Sequence, residues 1–126
     1  MRRAWLALLI LCSTTGCDLL PTGPSGKPDV VGVVRALELR EIAQSSVPTI
    51  MVEVRQVRSS ARVLKGCGGV SQFHLYESTR INWASGGVAA PDDIEPGRRV
   101  SIWIVAGSPI TLSCTPGAAA ARVRLE

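Results

Sequence analysis

The chain has 126 residues, 46% of them apolar and 19% charged, with 14 Lys and Arg against 10 Asp and Glu for a net charge of +4. The apolar content argues against a disordered tail, and so weak and unclustered a positive charge argues against a dedicated nucleic-acid binder. No apolar run reaches 18 residues, so a bilayer-spanning helix is not expected, and the length suits one domain at most.

Residues 1–16 read as an export signal. Met1-Arg2-Arg3 forms a basic start, Ala4 to Cys12 an unbroken apolar stretch, and Ser13 to Gly16 a run of small residues. The segment Thr14-Thr15-Gly16-Cys17 resembles the lipobox of bacterial lipoproteins, in which the cysteine thiol receives a diacylglyceryl group and becomes the mature N-terminus. Thr14 departs from that pattern, where Leu usually stands three residues before the cysteine. The resemblance implies lipidation at Cys17 and a place in the cell envelope, lipid-anchored to a bacterial membrane and facing outside the cytoplasm. Acyl chains at about 0.8 kcal/mol per buried methylene hold a protein firmly on a membrane when more than one is attached. Residues 17–28 then form a flexible linker, because Pro21, Pro24 and Pro28 alternate with Gly and Ser and no apolar periodicity is present. The folded domain is expected over residues 29–126.

Four cysteines divide by fate. Cys12 leaves with the signal and Cys17 takes the lipid, so Cys67 and Cys114 remain as a pair in an oxidising compartment, and a disulfide between them is the default. A redox or metal role is poorly supported, since there is no C-x-x-C and His74 is the single histidine.

Taken in chain order, the domain reads as all-β. Val30 to Leu39 is a valine-rich run. Thr49 to Arg58 places Ile50, Val52 and Val54 on one face and Met51, Glu53 and Arg55 on the other. Phe73 and Leu75 alternate with His74 and Tyr76, in a run expected to continue through Thr79 and Ile81. Arg99 to Val105 and Ala119 to Leu125 alternate in the same way, which makes five strands. Turn clusters separate them at residues 44–48, 66–71, 84–91, 95–97 and 115–117. A single helical turn is expected at Pro91 to Ile94 and no longer helix anywhere. Five strands in this length suit a small five-stranded Greek-key barrel of the OB type, preceded by the signal peptide and linker.

The stretch Asp92 to Trp103, followed by Pro109-Ile110, Ser113, Pro116, Ala118 and the alternating Ala121 to Leu125, resembles the C-terminal half of an uncharacterised OB-like domain family found in exported bacterial lipoproteins. The resemblance implies the barrel fold and the location. The family has no assigned activity, so nothing more follows from it.

Little here supports catalysis, and no cofactor is expected. His74 is the sole candidate base, and no serine lies in a nucleophile motif. Asp92, Asp93 and Glu95 could hold Ca²⁺, but Pro96-Gly97 directly after them favours a capped turn in water. Gly66-Cys67-Gly68-Gly69 lacks the Lys-Ser and helix of a phosphate loop. The candidate binding face comprises His74, Tyr76, Trp103 and Arg55, with Arg58 beside them. Nucleic acid is not expected there, because the chain is exported and carries only +2 once Arg2 and Arg3 are removed, with 12 basic residues against 10 acidic. A peptide, a glycan or an envelope protein is the expected partner. For Trp103 a core position weighs more than a binding role, because the run Ile102 to Ala106 suggests that both faces of its strand are covered. The expected function is therefore a noncatalytic binding or structural module. The alternative is a disulfide-pinned inhibitor of an envelope or host hydrolase, acting through Gly66 to Ser71 or Ser85 to Pro91.

Overall fold

A computed structural model describes residues 26–126. The expected signal peptide, the Cys17 expected to carry lipid and most of the expected linker lie outside the described residues. Among the described residues six strands form: β1 (Val30–Ile42), β2 (Ser45–Val57), β3 (Val70–His74), β4 (Arg80–Trp83), β5 (Arg99–Ile104) and β6 (Gly117–Leu125). β1 pairs antiparallel with β2 on one side and with β5 on the other, β2 with β3, and β5 with β6. A parallel pairing of β3 with β6 closes the ring. The result is a closed five-stranded barrel in the order β1-β2-β3-β6-β5, the Greek-key connectivity of an OB-type fold, with β4 added as a sixth strand.

The alternation of the sequence decides which side chains enter the barrel. Val30, Val34, Ile50, Val52, Phe73, Val100, Ile102, Ala118, Ala120, Val123 and Leu125 all lie buried in one cluster. Burying a side chain the size of Phe73, Ile50 or Leu125 stabilises the fold by about 1.5–3 kcal/mol. One end is sealed by a 3₁₀ segment, Ser59–Lys65, whose Ala61 and Leu64 are buried and whose Leu64 carbonyl accepts the Ser71 hydroxyl.

β1 must curve to serve both β2 and β5, and its register shifts at Val31/Gly32 and Val34/Ala36 supply the bend. Gly32 is required there, because a Cβ would meet the Glu53 carbonyl oxygen at 2.2 Å and Val52 Cγ1 at 2.5 Å. The turn expected at residues 44–48 is shorter than that. Ala43 and Gln44, with φ of 49° and 67°, make a two-residue reversal, and Ser45 to Pro48 already pair back with Leu39 to Ile42.

The run expected to continue from Phe73 through Ile81 is interrupted. Thr79 Oγ1 accepts the Tyr76 N–H at 2.9 Å and donates to the Ala120 carbonyl at 2.6 Å, and this turn separates β3 from β4. Both pieces nevertheless pair in parallel with β6, β3 at Gly117 to Ala119 and β4 at Arg122 to Leu125. The threonine hydroxyl thus fills the gap in the ladder between them.

The segment between β4 and β5 contains a short 3₁₀ turn, Pro91–Asp93, at the place expected for a single turn. Cys67 and Cys114 form a disulfide, and the Cys67 N–H also donates to the Cys114 carbonyl at 2.9 Å. Gly66, at φ 63°, admits this approach, since a Cβ would stand 2.5 Å from the Cys114 carbonyl oxygen.

Candidate functional site

Of the expected binding face, only His74 and Tyr76 come together. His74 ends β3 with its side chain on the outer wall, opposite Thr49 of β2. Its Nδ1 shares a hydrogen bond with Thr49 Oγ1 at 3.0 Å, and Thr49 itself is fully buried and bonded to the Val47 carbonyl. The Tyr76 ring meets the imidazole edge-on, with centroids 6.4 Å apart. Partial burial, and secondarily the positive charge of Arg40, hold the His74 pKa below its usual value, so the neutral ring is favoured.

Trp103 and Arg55 stand elsewhere. Trp103 lies on β5, two strands around the barrel from His74, and is 3% exposed although it points away from the barrel interior. Its indole N–H donates to the Gly26 carbonyl at 3.2 Å, and the guanidinium groups of Arg122 and Arg124 lie over its ring at 4.9 and 5.3 Å. Arg55 is six residues along β2 from Thr49, roughly 20 Å at strand rise, and meets Glu53 at 3.5 Å. Arg58 pairs with Asp29 at 3.6 Å and donates to the Lys27 carbonyl, which ties the entry of the domain to the end of β2.

The more concave feature is one that sequence reasoning missed. An open groove of about 590 Å³ lies at the β3–β4 turn, lined by Tyr76, Glu77, Thr79 and Arg80 together with Val88 and Pro91. His74 is not among its lining residues, so the groove does not combine an imidazole with the Glu77 carboxylate. Val88 is 85% exposed on the flank of a tightly bonded loop, bridged to Asn82, where Trp83 N–H donates to the Gly87 carbonyl and Ala89 N–H to the Ile81 carbonyl. Leu39 on the β1–β2 hairpin and Leu112 before β6 are likewise exposed, at 72% and 74%. The sequence signalled parts of the groove, Tyr76 as a candidate binding residue and Ser85 to Pro91 as a candidate inhibitory loop, but not that the two face one concavity.

The acidic stretch after β4 is committed to its own backbone. Asp93 Oδ2 accepts the Ala90 N–H at 2.8 Å, and Glu95 meets Arg98 at 3.8 Å. Among the described residues, no group of three His, Cys, Asp or Glu side chains converges on a point that could hold a metal ion. Comparison with known proteins returns no family model, no curated protein and no solved structure that matches this chain.

Proposed function

We propose that the chain is exported, anchored by lipid at Cys17, and displays its OB-like barrel in the bacterial cell envelope as a noncatalytic binding or structural module. The observation that carries this reading is the Cys67–Cys114 disulfide, because such bonds form and persist outside the reducing cytoplasm. It agrees with the export signal and lipobox-like segment read from residues 1–17. Binding is favoured over catalysis because the single histidine is bonded to Thr49 on the barrel wall and adjoins the groove only through Tyr76, without lining it beside the Glu77 carboxylate. The groove itself, apolar with a few polar groups at its margin, suits a peptide or a glycan of an envelope partner. Cys17→Ala tests the anchor. The variant should leave the membrane fraction or accumulate as an uncleaved precursor, and unchanged retention of a cleaved product would refute lipidation.

A second reading is favoured by Val88. An apolar side chain held almost fully exposed on a rigid loop is the shape of an inhibitor that inserts one residue into a hydrolase pocket. In that case Val88→Asp should abolish inhibition of an envelope or host hydrolase while leaving thermal unfolding unchanged. Persistent inhibition by the variant would remove this reading.

A further inference from the structure

The outer face of β4, β6 and β5 gathers three arginines from two distant parts of the sequence. Arg80 stands opposite Arg122, and Arg124 follows two residues on, opposite Asn82. Across the other edge of β6, Trp103 stands opposite Arg122 and Ser101 opposite Arg124. The guanidinium groups of Arg122 and Arg124 lie over the Trp103 ring, and a guanidinium is the group that meets phosphate oxygens bidentately.

Strand register sets this face apart. Arg35, Arg40, Arg55, Arg58, Arg98 and Arg99 each meet a carboxylate. Among the described residues, Lys27, Arg62, Lys65, Arg80, Arg122 and Arg124 meet none, and of these the pairing of β4 with β6 brings Arg80, Arg122 and Arg124 onto one face. Arg124 Nε, like that of Arg98, is buried without a hydrogen-bond partner. Of the carboxylates that border the face, Asp29 is used by Arg58 and by the Ile104 N–H and Glu126 by Arg99, while Glu77, three residues before Arg80, shares the adjoining groove without an ion pair to it. Three like charges brought side by side repel one another, and an anion set against them lowers that repulsion.

The exit of the chain indicates which anion. Gly26 is bonded to the Trp103 indole and Asp29 N–H to the Ile102 carbonyl, so the polypeptide enters the barrel across this face. Cys17 lies nine residues before Gly26, and nine residues span no more than about 30 Å even when fully extended. A lipid at Cys17 therefore lets this face reach the bilayer, because the chain crosses it at Gly26.

We infer that the face formed by Arg80, Arg122, Arg124 and Trp103 docks on the anionic phospholipid headgroups of the membrane to which the chain is tethered. The inference rests on the lipid anchor proposed above. Each arginine near an anionic surface strengthens association roughly fivefold, so three together strengthen it on the order of a hundredfold, and salt screens the effect.

The test uses the full chain extracted from bacterial membranes in detergent and reconstituted into phosphatidylcholine vesicles with or without phosphatidylglycerol. Arginine reactivity toward phenylglyoxal is then read residue by residue by mass spectrometry. Arg80, Arg122 and Arg124 should be protected at least severalfold on the phosphatidylglycerol vesicles, with Arg35, Arg40 and Arg62 unchanged. Protection should vanish in 0.5 M salt. Equal labelling on both vesicle types, in a chain that floats with both, refutes the docking face and leaves the anchor standing. A chain that floats with neither removes the anchor and the docking face with it. Equal protection by millimolar inorganic phosphate alone, or protection by a soluble polyanion and not by the vesicles, overturns the membrane assignment in favour of a soluble anion.

Discussion

The disulfide offers the most direct quantitative test of how this barrel is held. Cys67 lies just before β3 and Cys114 just before β6, so the bond ties together the entrances of the two strands whose parallel pairing closes the ring. That seam has only three registered pairs, Gln72 with Gly117, Phe73 with Ala118 and His74 with Ala119, whereas the β1–β2 hairpin is paired over almost its whole length. Replacing both cysteines by serine releases a closed loop of about 48 residues. The loop-entropy relation gives a loss near 4 kcal/mol, against a total of about 5–15 kcal/mol for a domain of this size. The midpoint of thermal unfolding should fall by roughly 15–30 °C.

Urea titration of the wild-type and double-serine chains reads the free energy, and the m-value should rise because the unlinked unfolded chain exposes more surface. Hydrogen exchange locates the effect. The Gln72 amide, which donates to the Pro116 carbonyl across the seam, should lose more protection than the amides of the β1–β2 hairpin. A loss under about 1 kcal/mol with an unchanged m-value would refute this account, because the seam would then be stable without its bridge.

Two further perturbations probe the sequence-to-packing link. Gly32→Ala places a methyl group against the Glu53 carbonyl, backbone that cannot swing aside, and should cost about 3 kcal/mol in chemical denaturation. A loss under about 0.5 kcal/mol would show that the bulge relaxes freely. His74 should make stability pH-dependent. Its folded pKa is lowered, so the unfolded chain binds the proton first as the pH falls, and stability should decline from about pH 6.5 downward and level off below the folded value. His74→Asn should flatten that slope, and Arg40→Gln should reduce it less, since burial is the larger cause. Urea midpoints measured between pH 7.5 and 5 report both, and an unchanged slope in His74→Asn would show that other groups carry it.

What the sequence revealed depended on whether a signal was local. Val30 to Leu39, Thr49 to Val57 and Arg99 to Ile104 were legible because β-branched residues at every second position leave a strand few alternatives. The break at Tyr76 to Thr79 was not. Leu75 and Ile81 keep the same phase on either side of it, and the cause, the Thr79 hydroxyl reaching the Ala120 carbonyl, depends on a strand 41 residues away. Ser59–Lys65 escaped notice because its buried pair, Ala61 and Leu64, is too short a repeat to announce a helix.

The same distinction separates the two candidate surfaces. His74 and Tyr76 are neighbours in the chain, so their association could be read by eye. Arg80 and Arg122 are brought opposite one another only by the pairing of β4 with β6, and the burial of Trp103 beneath arginines depends on β5 and β6 lying side by side. Trp103 illustrates the cost of reading a strand alone. An apolar residue on the outer wall suggested a covered face, and it is covered, yet by charged side chains that themselves meet no carboxylate among the described residues. A tryptophan in that setting serves as the platform that aligns two cations. Burial of the ring and function of the face are thus compatible, because the arginines contact the anion and the indole sets where they stand.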